Sequence, residues 1–100
     1  MVRKVLIAIC LFGHPLVAQP ILADTPSGQM LGNTCVGCHG PNGESKGAAP
    51  SIKGTPADRM IQAMQDFKTA KRPATIMDRI AKGYSDDEIK AMAEYFASLK

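Results

Sequence analysis

Cys35-Val36-Gly37-Cys38-His39 is the most informative motif in this sequence. Its C-x-x-C-H spacing is the attachment pattern of c-type haem. On one helical turn the two thiols reach the two vinyl groups along one haem edge and form thioethers. The next imidazole then turns beneath the ring, where a nitrogen can bind iron. The motif therefore predicts one covalently bound haem c, with Cys35 and Cys38 as thioether residues and His39 as an iron ligand.

Three other interpretations of this motif are weaker. A redox-active Cys35–Cys38 pair would suit a thioredoxin-like fold, but no βαβ pattern surrounds it. A structural zinc site needs four ligands, and the other cysteine and histidine, Cys10 and His14, lie in an N-terminal segment that we expect to be removed. A chance match in a structural segment is the third possibility.

The first two dozen residues have the layout of a secretory signal peptide. Arg3 and Lys4 precede an unbroken apolar run at residues 5–12, and Ala23 is a plausible cleavage point, with Ala18 as a second one. The run is far shorter than the roughly 20 residues that span a bilayer. An uncleaved membrane anchor is the alternative interpretation.

The predicted organisation is therefore a signal peptide at residues 1–23 and one exported, periplasmic domain at residues 24–100, without stable membrane insertion. Removing Arg3 and Lys4 from a chain of 12 basic and 9 acidic residues leaves a net charge of +1. This balance gives no reason to expect a nucleic-acid partner. A domain this short usually needs a disulfide, a metal or a cofactor to stabilise it.

The motif is expected on the first helix, over residues 28–38. Gly28 and Gly32 lower helix propensity, so they predict a close helix crossing, with ordinary surface glycine as the alternative. Three residues of this helix are expected to face inward, namely Met30, Leu31 and Thr34.

The rest of the chain predicts further helices and no strand. One helix begins with Thr55 as its cap and closes at Arg72, before Pro73. A short helix follows at residues 76–81, and a last one begins with a capping box formed by Ser85 and Glu88. Two sets of apolar residues recur at helical spacing, namely Met60, Ile61, Met64 and Phe67, and Ile89, Met92, Ala93, Phe96 and Leu99. The predicted fold is all-α, a small class I cytochrome c arrangement of three to four helices around one haem.

A loop beginning with the turn signal Gly40-Pro41-Asn42-Gly43 is expected to pack on the haem edge. We predict that the Pro50 carbonyl accepts a hydrogen bond from His39, because metal-bound histidines need their second ring nitrogen fixed. The alternative is that Pro50 only packs. For the second axial ligand, methionine is the remaining choice, and Met77 is favoured because it lies outside the two long helices; Met64 is second.

Two stretches resemble the cytochrome subunit of flavocytochrome c sulfide dehydrogenase. They are Met-Leu-Gly-Asn-Thr-Cys-Val-Gly-Cys-His-Gly at residues 30–40 and Ala-Thr-Ile-Met-Asp-Arg-Ile-Ala-Lys-Gly-Tyr-Ser at residues 74–85. The resemblance implies Cys35 and Cys38 as thioether residues, with His39 and Met77 as the proximal and distal ligands. Some members of that family carry two haem domains, whereas this chain has one motif.

The resemblance also implies a function. In that family a periplasmic FAD-containing flavoprotein oxidises sulfide and passes electrons to the cytochrome subunit. The expected function is therefore one-electron transfer, without catalysis by the chain itself. A free diffusible cytochrome c, carrying electrons between another dehydrogenase and a terminal oxidase, is the alternative. A haem enzyme such as a peroxidase is disfavoured, because Met77 would occupy the iron coordination position that its substrate needs. Three lysines could surround an exposed haem edge or be ordinary surface residues, namely Lys46, Lys53 and Lys82.

Overall fold

Helix α5 (Asp86–Ser98) provides half of the buried hydrophobic residues of the described part of the chain, including the three largest side chains that are fully buried. The computed structural model describes Gly13 and residues 26–100, so the predicted signal peptide lies, apart from Gly13, outside the described residues. Before α5 the described residues form four helices and one 3₁₀ turn, namely α1 (Gly28–Gly32), α2 (Val36–His39), the 3₁₀ turn (Pro41–Gly43), α3 (Ala57–Lys68) and α4 (Met77–Ala81). The described residues contain no β-strand, which confirms the predicted all-α fold. None of their helices is both long and apolar enough to cross a membrane.

The single helix predicted over residues 28–38 is wrong, since it is divided into α1 and α2. Between them the amides of Thr34 and Cys35 donate to the carbonyls of Leu31 and Gly32, three residues back, at 3.1 and 2.9 Å. The Thr34 hydroxyl also donates to the Leu31 carbonyl, at 2.7 Å. This side-chain bond competes with the regular helical pattern, which explains the interruption. The described residues therefore contain five α-helices rather than three to four. Only Leu31 of the expected inward face is buried; Met30 is 63% exposed.

The predicted close crossing at the two glycines is confirmed. A Cβ atom on Gly28 would collide with the Ala91 carbonyl oxygen, and one on Gly32 would lie 2.8 Å from the Tyr95 ring. Helix α1 therefore contacts α5 through its backbone. The motif that follows α1 is held in place by this crossing.

Helix α3 presents the predicted apolar stripe, with Met60 and Met64 buried, but both of its ends differ from the prediction. It begins at Ala57, with Pro56 rather than Thr55 at the N-cap. Pro56 lacks an amide proton and fixes its own φ, so it can start the helix without a side-chain cap.

The C-terminus of α3 comes earlier than predicted. The amide of Lys71 donates to the Asp66 carbonyl at 2.8 Å, that of Ala70 donates to the Phe67 carbonyl at 3.2 Å, and Ala70 has φ +61°. These bonds form a Schellman motif, which ends the helix at Lys68. Lys71 and Arg72 therefore lie beyond it.

The predictions for the C-terminal part are confirmed. The short helix α4 begins at Met77, one residue later than predicted. The Ser85–Glu88 capping box is present, and the predicted inward face of α5 is buried, with Leu99 half-buried. The Gly54 amide donates to the Phe96 carbonyl at 2.9 Å, which ties the long loop to the end of α5.

Candidate functional site

The described residues enclose an open cleft of about 570 Å³, within the usual size range of ligand and cofactor sites. The motif and α2 form one side of it, the loop before α3 forms a second, and α3 with the start of α4 forms the third. All five predicted site residues line this one cleft, namely Cys35, Cys38, His39, Pro50 and Met77. Segments that are far apart in the sequence are therefore brought to a single site.

The two thiols lie at one edge of the cleft. Both are free; Cys35 is half-buried, while Cys38 is exposed. Burial raises the pKa of the Cys35 thiol. A raised pKa keeps the thiol protonated at neutral pH, so it does not act as a spontaneous nucleophile.

His39 is buried and oriented by the loop. Its side chain is 8% exposed, and Nδ1 lies 2.6 Å from the Pro50 carbonyl oxygen, so the predicted hydrogen bond is present. A carbonyl can only accept, which means that Nδ1 carries the ring proton and Nε2 keeps its lone pair. The loop is itself fixed, because the Ile52 amide donates to the Gly43 carbonyl at 2.8 Å. His39 is therefore held in the tautomer that a metal ligand requires.

The lining of the cleft narrows the choice of methionine ligand to three residues. Met60, Met64 and Met77 line it, whereas Met30 and Met92 do not. Met60 and Met64 are 7% and 6% exposed and belong to the core stripe of α3, while Met77 is half-buried at the first position of α4. Met77 and Met64, the first and second choices for the second iron ligand, therefore both remain candidates. Met60, which the sequence indicated only as a core residue, is a third.

Two arginines in the lining were missed by the sequence analysis. Arg59 and Arg72 are the charged side chains that line the cleft, and neither forms an ion pair with another described residue. The Arg72 guanidinium lies over the Phe67 ring, 5.0 Å from its centroid. The position of Arg59 next to the inward-facing Met60 could have indicated that it lines the cleft. Arg72 could not have been found in this way, because it lies beyond the early end of α3, which the sequence did not indicate.

The lysines expected at the haem edge do not line the cleft. Lys53 is paired with Glu44, with 3.4 Å between Nζ and Oε2, while Lys46 and Lys82 are exposed.

These features fit a haem. The wall is mostly apolar, as a porphyrin face requires, and the two guanidinium groups suit the carboxylates at the ring periphery. Two thiols at one edge can hold its vinyl carbons, and an imidazole with a free Nε2 can bind iron. The chemistry that a haem supplies here is reversible one-electron exchange.

Comparison with known proteins gives a consistent result. A family model described as Cytochrome c matches residues 27–100. Over 72 residues the chain is 44% identical to the cytochrome subunit of sulfide dehydrogenase of Chlorobaculum tepidum, which covers 72% of this chain and 66% of that protein, just under two thirds.

Two further relatives are both named cytochrome c-553. The chain is 34% identical over 77 residues to cytochrome c-553 of Nitratidesulfovibrio vulgaris, covering 72% of this chain and 76% of that one. It is 32% identical over 102 residues to cytochrome c-553 of Helicobacter pylori, covering 98% and 99% of the two chains.

Proposed function

The chain belongs to the cytochrome c family, and we propose that it is a periplasmic single-haem cytochrome that accepts electrons from a sulfide-oxidising flavoprotein. Family membership implies covalently bound haem c and a role in electron transfer rather than catalysis. Residues 1–23 would be its signal peptide and residues 24–100 its haem domain.

The observation that carries the proposal is the state of His39. Its Nδ1 donates to the Pro50 carbonyl oxygen, 2.6 Å away. Nε2 therefore remains available to bind iron, in a cleft that both motif thiols also line. We assign Cys35 and Cys38 as thioether residues and His39 and Met77 as axial ligands. A methionine ligand favours Fe(II), because a neutral thioether adds no negative charge to the ferric form, and so it raises the reduction potential.

A pyridine haemochrome spectrum combined with intact-protein mass spectrometry tests the cofactor and the processing together. We expect one haem per chain, two thioether bonds and a mass that corresponds to residues 24–100. A colourless exported protein with the mass of the bare polypeptide would overturn the haem assignment.

The partner is supported by two similarities. The sulfide dehydrogenase cytochrome subunit is 44% identical, and the stretch at residues 74–85 resembles that family over a region beyond the common motif. Purification from cells grown on sulfide, followed by size-exclusion chromatography, should give one flavin per haem in a single peak. A monomeric red protein without flavin would exclude the subunit assignment.

A free diffusible carrier is the second candidate, and the match over 98% of this chain to a relative named only as cytochrome c-553, of Helicobacter pylori, supports it. The two candidates differ in assembly rather than in haem chemistry. The same chromatography separates them, since a free carrier elutes as a monomer and transfers electrons to an oxidase without a bound flavoprotein.

A further inference from the structure

One hydrogen bond joins the segment that carries the haem motif to the segment that carries Met77, and of its two residues Thr34 lines the cleft while Tyr84 does not. The Tyr84 hydroxyl lies 2.6 Å from the Thr34 hydroxyl. Thr34 immediately precedes Cys35, and Tyr84 follows α4, whose first residue is Met77. Among the described residues this is the one hydrogen bond between residues 28–43 and residues 69–85.

The direction of this bond follows from a count of protons. The Thr34 hydroxyl has one proton, which it donates to the Leu31 carbonyl at 2.7 Å. It must therefore accept from Tyr84, whose phenol proton has this partner. The threonine oxygen both accepts and donates, so the two bonds form a chain that runs from Tyr84 to the backbone of α1.

Both ends of the bond are held in place. Lys68, at the end of α3, donates from Nζ to the Tyr84 carbonyl at 2.5 Å, and Tyr84 packs half-buried against the core. Thr34 is exposed, but its hydroxyl is held by the bond to the carbonyl of the buried Leu31. A bond between two fixed groups resists separation of the segments that carry them.

We propose that Tyr84 is a positioning residue that holds α4 against the haem motif and so keeps Met77 on the iron. The inference rests on the proposed ligation by Met77. Displacing this methionine moves α4 away from α2, and the Tyr84–Thr34 bond opposes that movement. Tyr84 does not line the cleft, so it acts through the position of α4 rather than by touching the haem.

Imidazole binding to the oxidised, haem-loaded full chain tests the proposal, because imidazole competes with Met77 for iron. We expect Tyr84→Phe and Thr34→Val each to bind imidazole about fivefold more tightly, which corresponds to about 1 kcal/mol for one hydrogen bond. The double variant should bind no more tightly than either single variant, since both remove the same bond.

Two control variants separate this role from a general loss of stability. Thr34→Ser keeps the hydroxyl and should bind imidazole as the wild type does. Tyr95→Phe removes a hydroxyl that bonds to no described residue and should also leave the affinity unchanged. If Thr34→Val does not mature with haem, Tyr84→Phe alone carries the test.

The outcomes distinguish the two proposals. A wild-type protein without a methionine-to-iron charge-transfer band contradicts the ligation by Met77 and, with it, this inference. A wild type that shows the band, with wild-type imidazole affinity in Tyr84→Phe and Thr34→Val, contradicts the positioning role alone. The positioning role is contradicted in that case even if the two variants melt at lower temperature.

Discussion

The crossing of α1 with α5 and the segment that leads to Met77 are held in different ways. At the crossing, Gly28 and Gly32 allow α1 to rest on α5 with no room for a Cβ atom. Residues 69–76 are exposed, and residues 73–75 make no hydrogen bond to another described residue. The crossing is therefore fixed by protein contacts along its length, whereas the hydrogen bonds of the other segment are confined to residues 69–72 and Ile76.

The contrast shows how the fold is divided between polypeptide and cofactor. The crossing buries Phe96 completely and gains its stability from apolar burial. Thr75 and Ile76, just before Met77, line the cleft, so a group bound there would contact this segment. Substitutions at the crossing should change the free energy of unfolding, and substitutions near Met77 should change the ligation and reduction potential of the iron.

The largest expected effect comes from removing the haem. We predict that the double variant Cys35→Ala, Cys38→Ala carries no covalent haem and does not unfold cooperatively. A core of this size supplies only about 3–5 kcal/mol without such a constraint, and in this variant the apolar wall of the cleft would face water. Circular dichroism during thermal unfolding measures the effect. A cooperative transition with native helicity would show that the polypeptide folds without haem and would remove the contrast.

The next largest effect is expected at the crossing itself. Gly28→Ala places a Cβ atom against the Ala91 carbonyl oxygen, so α1 must move away from α5. We expect a loss of about 3 kcal/mol in the free energy of unfolding, measured with denaturant on the haem-loaded protein, with the charge-transfer band retained.

Gly37→Ala is the matched control for this substitution. A Cβ atom on Gly37 meets no atom within 4 Å, and alanine is the better helix former by roughly 0.5–1 kcal/mol. It should leave the free energy of unfolding unchanged or raise it. Equal losses in the two variants would mean that the crossing is not tightly packed.

The same contrast explains how much of the structure could be predicted from the sequence. The face of α5, its capping box and the glycine crossing depend on spacing within a few residues, and all three are confirmed. The divided first helix and the early end of α3 could not be predicted, because they depend on the Thr34 hydroxyl bond to Leu31 and on Ala70 in a left-handed conformation, which no periodicity encodes.

The candidate site divides in a similar way. The motif and the Pro50 bond to His39 follow from the chemistry of a metal-bound histidine, and the bond is present. Arg59 and Arg72 were missed because the sequence does not show which polar residues reach a cleft formed by three separate segments. The choice of Met77 over Met64 stays a prediction, since both line the cleft.

A pair of leucine substitutions decides between these methionines. Met77→Leu keeps the volume but removes the sulfur, so we expect the methionine-to-iron charge-transfer band to disappear and the reduction potential to fall. Met64→Leu should keep the band and cost less than about 1.5 kcal/mol, as volume-conserving core changes do. Visible absorption and redox titration measure both variants. The opposite result would assign the iron ligand to α3.

The smallest expected effect is a gain in stability at the start of the segment that leads to Met77. Ala70 has φ +61°, a conformation that costs a residue with a Cβ atom about 1–2 kcal/mol and glycine almost nothing. Ala70→Gly should therefore raise the free energy of unfolding by up to about 1 kcal/mol, after the greater flexibility of glycine in the unfolded chain is subtracted. The matched substitution Ala97→Gly, inside α5, should lower it by roughly 0.5–1 kcal/mol. Only Ala70→Gly relieves a left-handed alanine. A gain in the free energy of unfolding for Ala70→Gly, together with a loss for Ala97→Gly, would confirm that the backbone geometry of Ala70 ends α3. A loss in both variants would contradict this.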